Sequence, residues 1–204
     1  MEKNTRVILI FFLIIVLLTV FMIYFSIPKK QPTIIQDITL GINPPKGNPD
    51  SNIIMIEFSD FQCPACKASQ SIISEILDEY DIVLYYRNFP LSIHENSFIA
   101  AEAAQCANEQ NSFWQYHDIL FENQNNLDKE NLKKYAQELN LNLEQFSYCL
   151  ESEKYKGEIK KDINNGKSYG VRGTPSFFIN GRKVSPVKEE IERIIKEELE
   201  EQNI

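Results

Sequence analysis

The chain has 204 residues and a net charge of −8, from 29 acidic and 21 basic side chains. That length suits one domain of ordinary size with a sizeable core, and the acidic balance gives no electrostatic footprint for a nucleic-acid partner. Four cysteines against only two histidines direct attention to thiol chemistry.

Residues 7–25 are apolar or nearly so, Thr19 and Tyr24 being the least apolar. A helix of that length spans roughly 28 Å, close to the hydrocarbon thickness of a bilayer. Lys3 and Arg6 precede the stretch, and Ser26-Ile27-Pro28-Lys29-Lys30 follows it with no small-x-small cleavage site. A cleaved signal peptide would have a shorter apolar region and such a site, so residues 1–27 read as an uncleaved signal anchor with one transmembrane helix. Lys3, Arg6 and the terminal amine nearly balance Lys29 and Lys30, so charge alone does not orient it. Two cysteine pairs in a tethered domain suit an oxidising compartment, which places residues 28–204 outside the cytoplasm at the cell membrane. The first 27 residues carry +1, so the exported part carries −9. Residues 28–52 hold Pro28, Pro32, Pro44, Pro45 and Pro49 and read as a tether. Ile34, Ile35, Ile38 and Leu40 suit a short first strand within it.

The domain proper is expected over residues 53–204. Ile53 to Phe58 has strand length and β-branched content. After a short turn, Ala68, Ile72, Ile73, Ile76 and Leu77 recur at helical spacing. Cys63-Pro64-Ala65-Cys66 therefore lies where a strand hands over to a helix. There Cys63 meets unpaired backbone N–H groups and the positive end of the helix dipole, both of which favour a thiolate. Cys63 is the expected nucleophile. Cys66, one turn deeper, can attack a mixed disulfide and release the partner. Pro64 suits the first helical turn, where no N–H is needed. Zinc would need a second cysteine pair or paired histidines at ligand spacing. Cys106 and Cys149 are 43 positions apart, and His94 and His117 are 23 apart, so no metal is expected. Glu57 sits in an otherwise apolar strand; it is either a solvent-side carboxylate or a buried proton acceptor for Cys66 with a raised pKa.

Ile82 to Tyr86 reads as a second strand, parallel to the first and completing a βαβ unit. From Ser92 to about Leu150 the pattern is helical, with starts at Leu127-Asp128-Lys129-Glu130 and Asn142-Leu143-Glu144. Phe113, Trp114, Tyr116, Ile119, Leu120 and Phe121 read as core. His94 and His117 read as capping or packing residues rather than catalysts. Four cysteines allow three pairings. The short Cys63–Cys66 pair leaves Cys106 and Cys149 as a structural disulfide, two free thiols or a relaying redox pair. Tyr155 to Tyr169 reads as another helix. Gly173-Thr174-Pro175 leads into Ser176–Ile179, Asn180-Gly181 signals a hairpin, and a helix with the stripe Ile191, Ile194, Ile195, Leu199 closes the chain.

Glu57-Phe58-Ser59-Asp60-Phe61-Gln62-Cys63-Pro64-Ala65-Cys66 resembles the active-site segment of DsbA-like thiol–disulfide oxidoreductases, the group that includes membrane-anchored BdbD-type proteins. Gly173-Thr174-Pro175 resembles the family's cis-proline loop. Phe89-Pro90-Leu91, Ala103-Ala104-Gln105-Cys106-Ala107 and Phe113-Trp114 resemble its helical insertion. The resemblance implies an α/β thioredoxin-like fold with an inserted helical domain at about 92–150. It implies Cys63 as nucleophile, Cys66 as resolving thiol, Glu57 as the buried carboxylate and Pro175 as a cis residue facing the dithiol, with Thr174, Pro64 and Ala65 alongside at the substrate. It implies no cofactor. The partners would be exported proteins with cysteine pairs, and a membrane-embedded, quinone-linked thiol oxidase as reoxidant.

One departure stands out: the best-known oxidase has a histidine between its cysteines, where this chain has Ala65, which cannot donate to the Cys63 thiolate. Less thiolate stabilisation makes a less oxidising dithiol, so a reductase or isomerase on the same fold competes with the oxidase reading. A tethered peptide-binding holdase and a Cu(I) or Zn(II) carrier on Cys63 and Cys66 are the readings from other classes.

Overall fold

The computed structural model describes residues 12–22 and 38–201, which fall into two units dividing between residues 32 and 33. The first contains a helix, α1 (12–22), whose side chains are all exposed. Among the described residues no helix is long and apolar enough to cross a membrane. Residues 7–11 and 23–25 of the expected span lie outside the described residues.

The second unit is built on a five-stranded sheet of order β1-β3-β2-β4-β5. Its strands are β1 (Lys46–Gly47), β2 (Ile54–Ser59), β3 (Val83–Asn88), β4 (Ser176–Ile179) and β5 (Arg182–Val184). β2 is central, parallel to β3 and antiparallel to β4. A strand covered on both faces reads as a continuous apolar run, which is why Ile53–Phe58 shows no clean alternation. Ile53 and Met55 pack with Leu84, Phe177 and Ile179 under α2 (Pro64–Glu79) and α8 (Lys188–Glu201). Ile56 and Phe58 pack with Phe178, Phe89 and Val171 on the opposite face, towards Ile163 of α7 (Lys156–Ser168). The Asn180-Gly181 turn has both residues at positive φ, +46° and +80°, as a two-residue hairpin of primed type requires.

Between β3 and α7 lie α3 (Ser97–Asn108), α4 (Phe113–Glu122), α5 (Lys129–Glu138) and α6 (Leu143–Glu151). The last two start where Asp128 and Asn142 accept backbone N–H groups of the first turn. Ala100, Ala103, Ala104 and Ala107 let α3 lie close to Phe113, Tyr116, Leu120 and Phe146. Cys106 on α3 and Cys149 on α6 are joined by a disulfide.

Residues 38–52, which composition marks as tether, are held on the domain. Of the strand expected at Ile34, Ile35, Ile38 and Leu40, Ile34 and Ile35 lie outside the described residues and residues 38–40 are not in a strand; the two-residue β1 follows and pairs antiparallel with β3. The cause is a set of polar hooks. Asn43 is buried, donates to the Tyr86 carbonyl at 2.8 Å and accepts from Gln105 at 2.6 Å. Trp114 Nε1 donates to the Pro44 carbonyl at 3.1 Å. Arg87, buried on β3, donates to Thr39 and to Asp162 of α7. Gly41, at φ +87°, lies where a Cβ would meet Arg87 Cδ at 2.5 Å, so the crossing needs glycine.

Candidate active site

Cys63 is the N-cap of α2, in extended backbone, with Pro64 at the first helical position. Cys66, Ser69, Ile73 and Ile76 follow on the buried stripe of that helix. Asp60, just past β2, shapes the turn between strand and helix. Its carbonyl accepts Cys63 N–H at 3.0 Å and its Oδ1 accepts Gln62 N–H at 2.8 Å. From the loop after α4, Gln124 Nε2 donates to the carbonyls of Phe61 at 2.7 Å and Cys63 at 2.9 Å. The insertion thus grips the turn that carries Cys63 by its backbone.

Both cysteines are unbonded. Cys63 is 7% exposed and Cys66 is fully buried, while Pro64 and Ala65 form an exposed rim beside them. Cys63 Sγ donates to the Thr174 carbonyl at 3.4 Å, and the Thr174–Pro175 bond is cis. The strand-to-helix turn and the loop before β4 therefore meet at the dithiol, which brings Cys63, Cys66, Thr174 and Pro175 together.

Glu57 resolves in favour of burial. The alternation of β2 puts it on the face of Met55, opposite Tyr86 and Phe177 in register, and it is 0% exposed. Gln70 of α2 donates to its Oε1 at 3.3 Å. Burial pushes the carboxyl from 4.5 up to about 7, against the opposing pull of Ser59, Gln70 and the Lys46 charge. Burial also pushes the Cys66 thiol well up, with Glu57 adding to the rise while Ser59 and Thr174 oppose it. The hydroxyls of Ser59 and Thr174 thus face the carboxyl and the inner thiol, while Glu57 Oε2 is buried without a hydrogen-bond partner among the described residues, which is rare in a folded core.

The histidines take different places. His117 packs against Phe61, Tyr86, Trp114 and Phe121, with Nδ1 2.8 Å from Asp118, and burial lowers its pKa. His94 lies on the loop between β3 and α3, with Nδ1 2.8 Å from Asp60 Oδ2. It also lines a groove of about 750 Å³ with Phe89, Leu91, Phe98, Val171 and Arg172. Among the described residues no group of three or more His, Cys, Asp or Glu is placed to hold a metal ion. Sequence reasoning missed Asp60, Ser59, Tyr86 and Gln124. Asp60 carries a faint signal as a turn former after a strand; Gln124, reaching from another element, carries none.

A family model described as Thioredoxin matches residues 43–197. The Na(+)/H(+) antiporter NhaA 3 of Salinispora tropica is 35% identical over 153 residues, covering 72% of this chain and 24% of the antiporter. The chain thus spans about a quarter of that relative's length. A Bacillus anthracis protein named "Probable disulfide bond formation protein D" is 29% identical over 170 residues, covering 75% of this chain and 76% of the relative. The crystal structure of oxidised BdbD from Bacillus subtilis superposes with a TM-score of 0.73 at 24% identity, covering 83% of this chain and 98% of that one, which shows a shared fold. The chain belongs to the thioredoxin family.

Proposed function

We propose that this protein oxidises cysteine pairs in exported proteins through a Cys63–Cys66 disulfide, held outside the cytoplasm by an anchor at residues 7–25. A substrate thiolate attacks Cys63 Sγ. The Cys63–Cys66 bond breaks, a mixed disulfide forms at Cys63, and Cys66 leaves with the electron pair and takes a proton. The substrate's second thiolate then attacks its own sulfur in the mixed disulfide and releases Cys63. The substrate has lost two electrons and the protein has become a dithiol. Reoxidation by a membrane-embedded, quinone-linked thiol oxidase would close the cycle.

The observation that carries this reading is the contact of Cys63 Sγ with the Thr174 carbonyl, beside Pro175 and in front of fully buried Cys66 and Glu57. Attack falls on the accessible sulfur. The inner thiol resists ionisation and needs a proton carrier at hand, and a carboxyl that titrates near 7 can give and take one at neutral pH. An extended substrate would lie along the backbone at Thr174 and Pro175, with Pro64 and Ala65 beneath it. The Cys106–Cys149 bond is structural in this scheme, bracing the insertion that holds the catalytic turn.

The test uses the full chain in detergent, oxidised, mixed with a reduced, unfolded protein that needs disulfides for activity. Recovery of activity with one substrate disulfide made per Cys63–Cys66 reduced is expected. Recovery that survives replacement of both cysteines by serine would instead indicate a holdase. A reduction potential near about −270 mV rather than −120 mV would reverse the direction of the chemistry.

A further inference from the structure

Asp60 is buried at 1% exposure, yet it carries a carboxyl group within three residues of the reacting sulfur. Its Oδ1 is used on the Gln62 N–H of the catalytic turn. Its Oδ2 accepts Leu91 N–H at 2.8 Å and meets His94 Nδ1 at 2.8 Å. His94 is its basic side-chain partner among the described residues, and is itself partly open to the groove, with 19% of its side chain exposed. A second tie runs beside the first, from Asn96 N–H to Gln62 Oε1 at 2.6 Å. Ser97 braces the same loop by donating to the carbonyls of Leu91 and His94. The charged side chains that face His94 are Asp60 behind it, Glu95 beside it, and Lys167 of α7 and Arg172 of the loop before Pro175 in the wall of the groove.

We propose that Asp60 and His94 form a positioning pair that sets both the shape of the Cys63 turn and the charge beside the dithiol. Asp60 holds the turn through Gln62 and Cys63, and His94 holds Asp60. The electrostatic half follows from the geometry. A carboxylate near the dithiol opposes a thiolate, and so destabilises the reduced form. The 2.8 Å contact with His94 Nδ1 disperses part of that charge and so damps the opposition. Removing His94 leaves the buried Asp60 charge with N–H donors alone; removing the Asp60 charge removes the opposition itself. The two substitutions therefore move the dithiol in opposite directions, although each breaks the same hydrogen bond.

The inference rests on Cys63 and Cys66 cycling between dithiol and disulfide, which the wild-type protein tests separately in the same measurement. The reaction is the equilibrium in which the protein dithiol and one glutathione disulfide give the protein disulfide and two glutathione thiols. The full chain in detergent is equilibrated at pH 7 and the Cys63–Cys66 state is read by mass. His94→Asn should favour the protein disulfide by roughly tenfold, equivalent to about 30 mV towards the reducing side. Asp60→Asn should shift the equilibrium by a similar factor towards the dithiol. The double variant should match Asp60→Asn to within about threefold, because His94 acts only through Asp60. Shifts of the same sign in both single variants, or shifts below twofold, would overturn the proposal and leave the pair as a structural clamp. If Asp60→Asn does not fold, His94→Gln carries the test, and an equilibrium unchanged from wild type overturns the proposal.

Discussion

Replacing Glu57 by glutamine tests how the core treats this carboxyl. The side chain keeps its size and can still pair with Gln70, but it no longer titrates. In the folded protein burial raises the carboxyl from 4.5 to about 7. That difference is worth about 3 kcal/mol between protonated and ionised forms. The folded state holds the proton more tightly than the unfolded chain, so this contribution is fully present below about pH 4.5 and is lost as pH rises through about 7. Urea unfolding of residues 33–204, with Cys63 and Cys66 kept reduced and followed by the single tryptophan, gives the stability of each protein at pH 4.5 and pH 8. Every other titrating group is common to both, so the difference isolates Glu57. The variant should gain about 3 kcal/mol on wild type between those two pH values. Parallel stability curves, with a gap constant to within about 0.5 kcal/mol, would refute the claim that Glu57 is a desolvated carboxyl. On the proposed mechanism the oxidised variant should form mixed disulfides with a reduced substrate about a hundredfold more slowly near neutral pH, because the leaving Cys66 thiolate has lost its proton carrier.

Other outcomes follow from the same structure. Mixed with a substrate that carries a disulfide, Cys66→Ser should trap a mixed disulfide at Cys63, seen by mass, as the Cys63 thiolate displaces one substrate thiol, whereas Cys63→Ser should trap none with the same substrate. Ala65→His places a donor beside Cys63 and should shift the glutathione equilibrium at least tenfold towards the dithiol. Asp162→Ala leaves Arg87 buried without its carboxylate and should cost about 3–5 kcal/mol in urea unfolding. Replacing Cys106 and Cys149 together by serine should cost about 4 kcal/mol, from the loop of 43 positions they close, while glutathione exchange at Cys63–Cys66 continues in the folded fraction.

The parts legible in the sequence were those whose signal is local. The hand-over from Ile54–Ser59 to Pro64–Glu79, the Asn180-Gly181 hairpin and the capped starts at Asp128 and Asn142 each rest on residues a few positions apart. Glu57 could not be placed that way, because a strand covered on both faces has no alternation to read; its position came from register with Tyr86 and Phe177. Residues 38–52 were read as tether from their prolines, whereas Asn43, Trp114 and Arg87 decide their course through contacts with distant elements. Arg87 and Asp162 look like ordinary surface charges in the sequence and are buried partners 75 positions apart. The pairing of Asp60 with His94, 34 positions apart, escaped notice for the same reason.

The bond between Cys106 and Cys149 has a consequence for how copies of this protein come into being. Each chain carries a cysteine pair that must be closed across a long stretch of sequence before the helical insertion is braced. On the proposed activity, a newly exported copy is therefore a client of the copies already at work. The first generation would depend on some outside oxidant, and later ones could draw on their predecessors, so the population would mature faster as it grows.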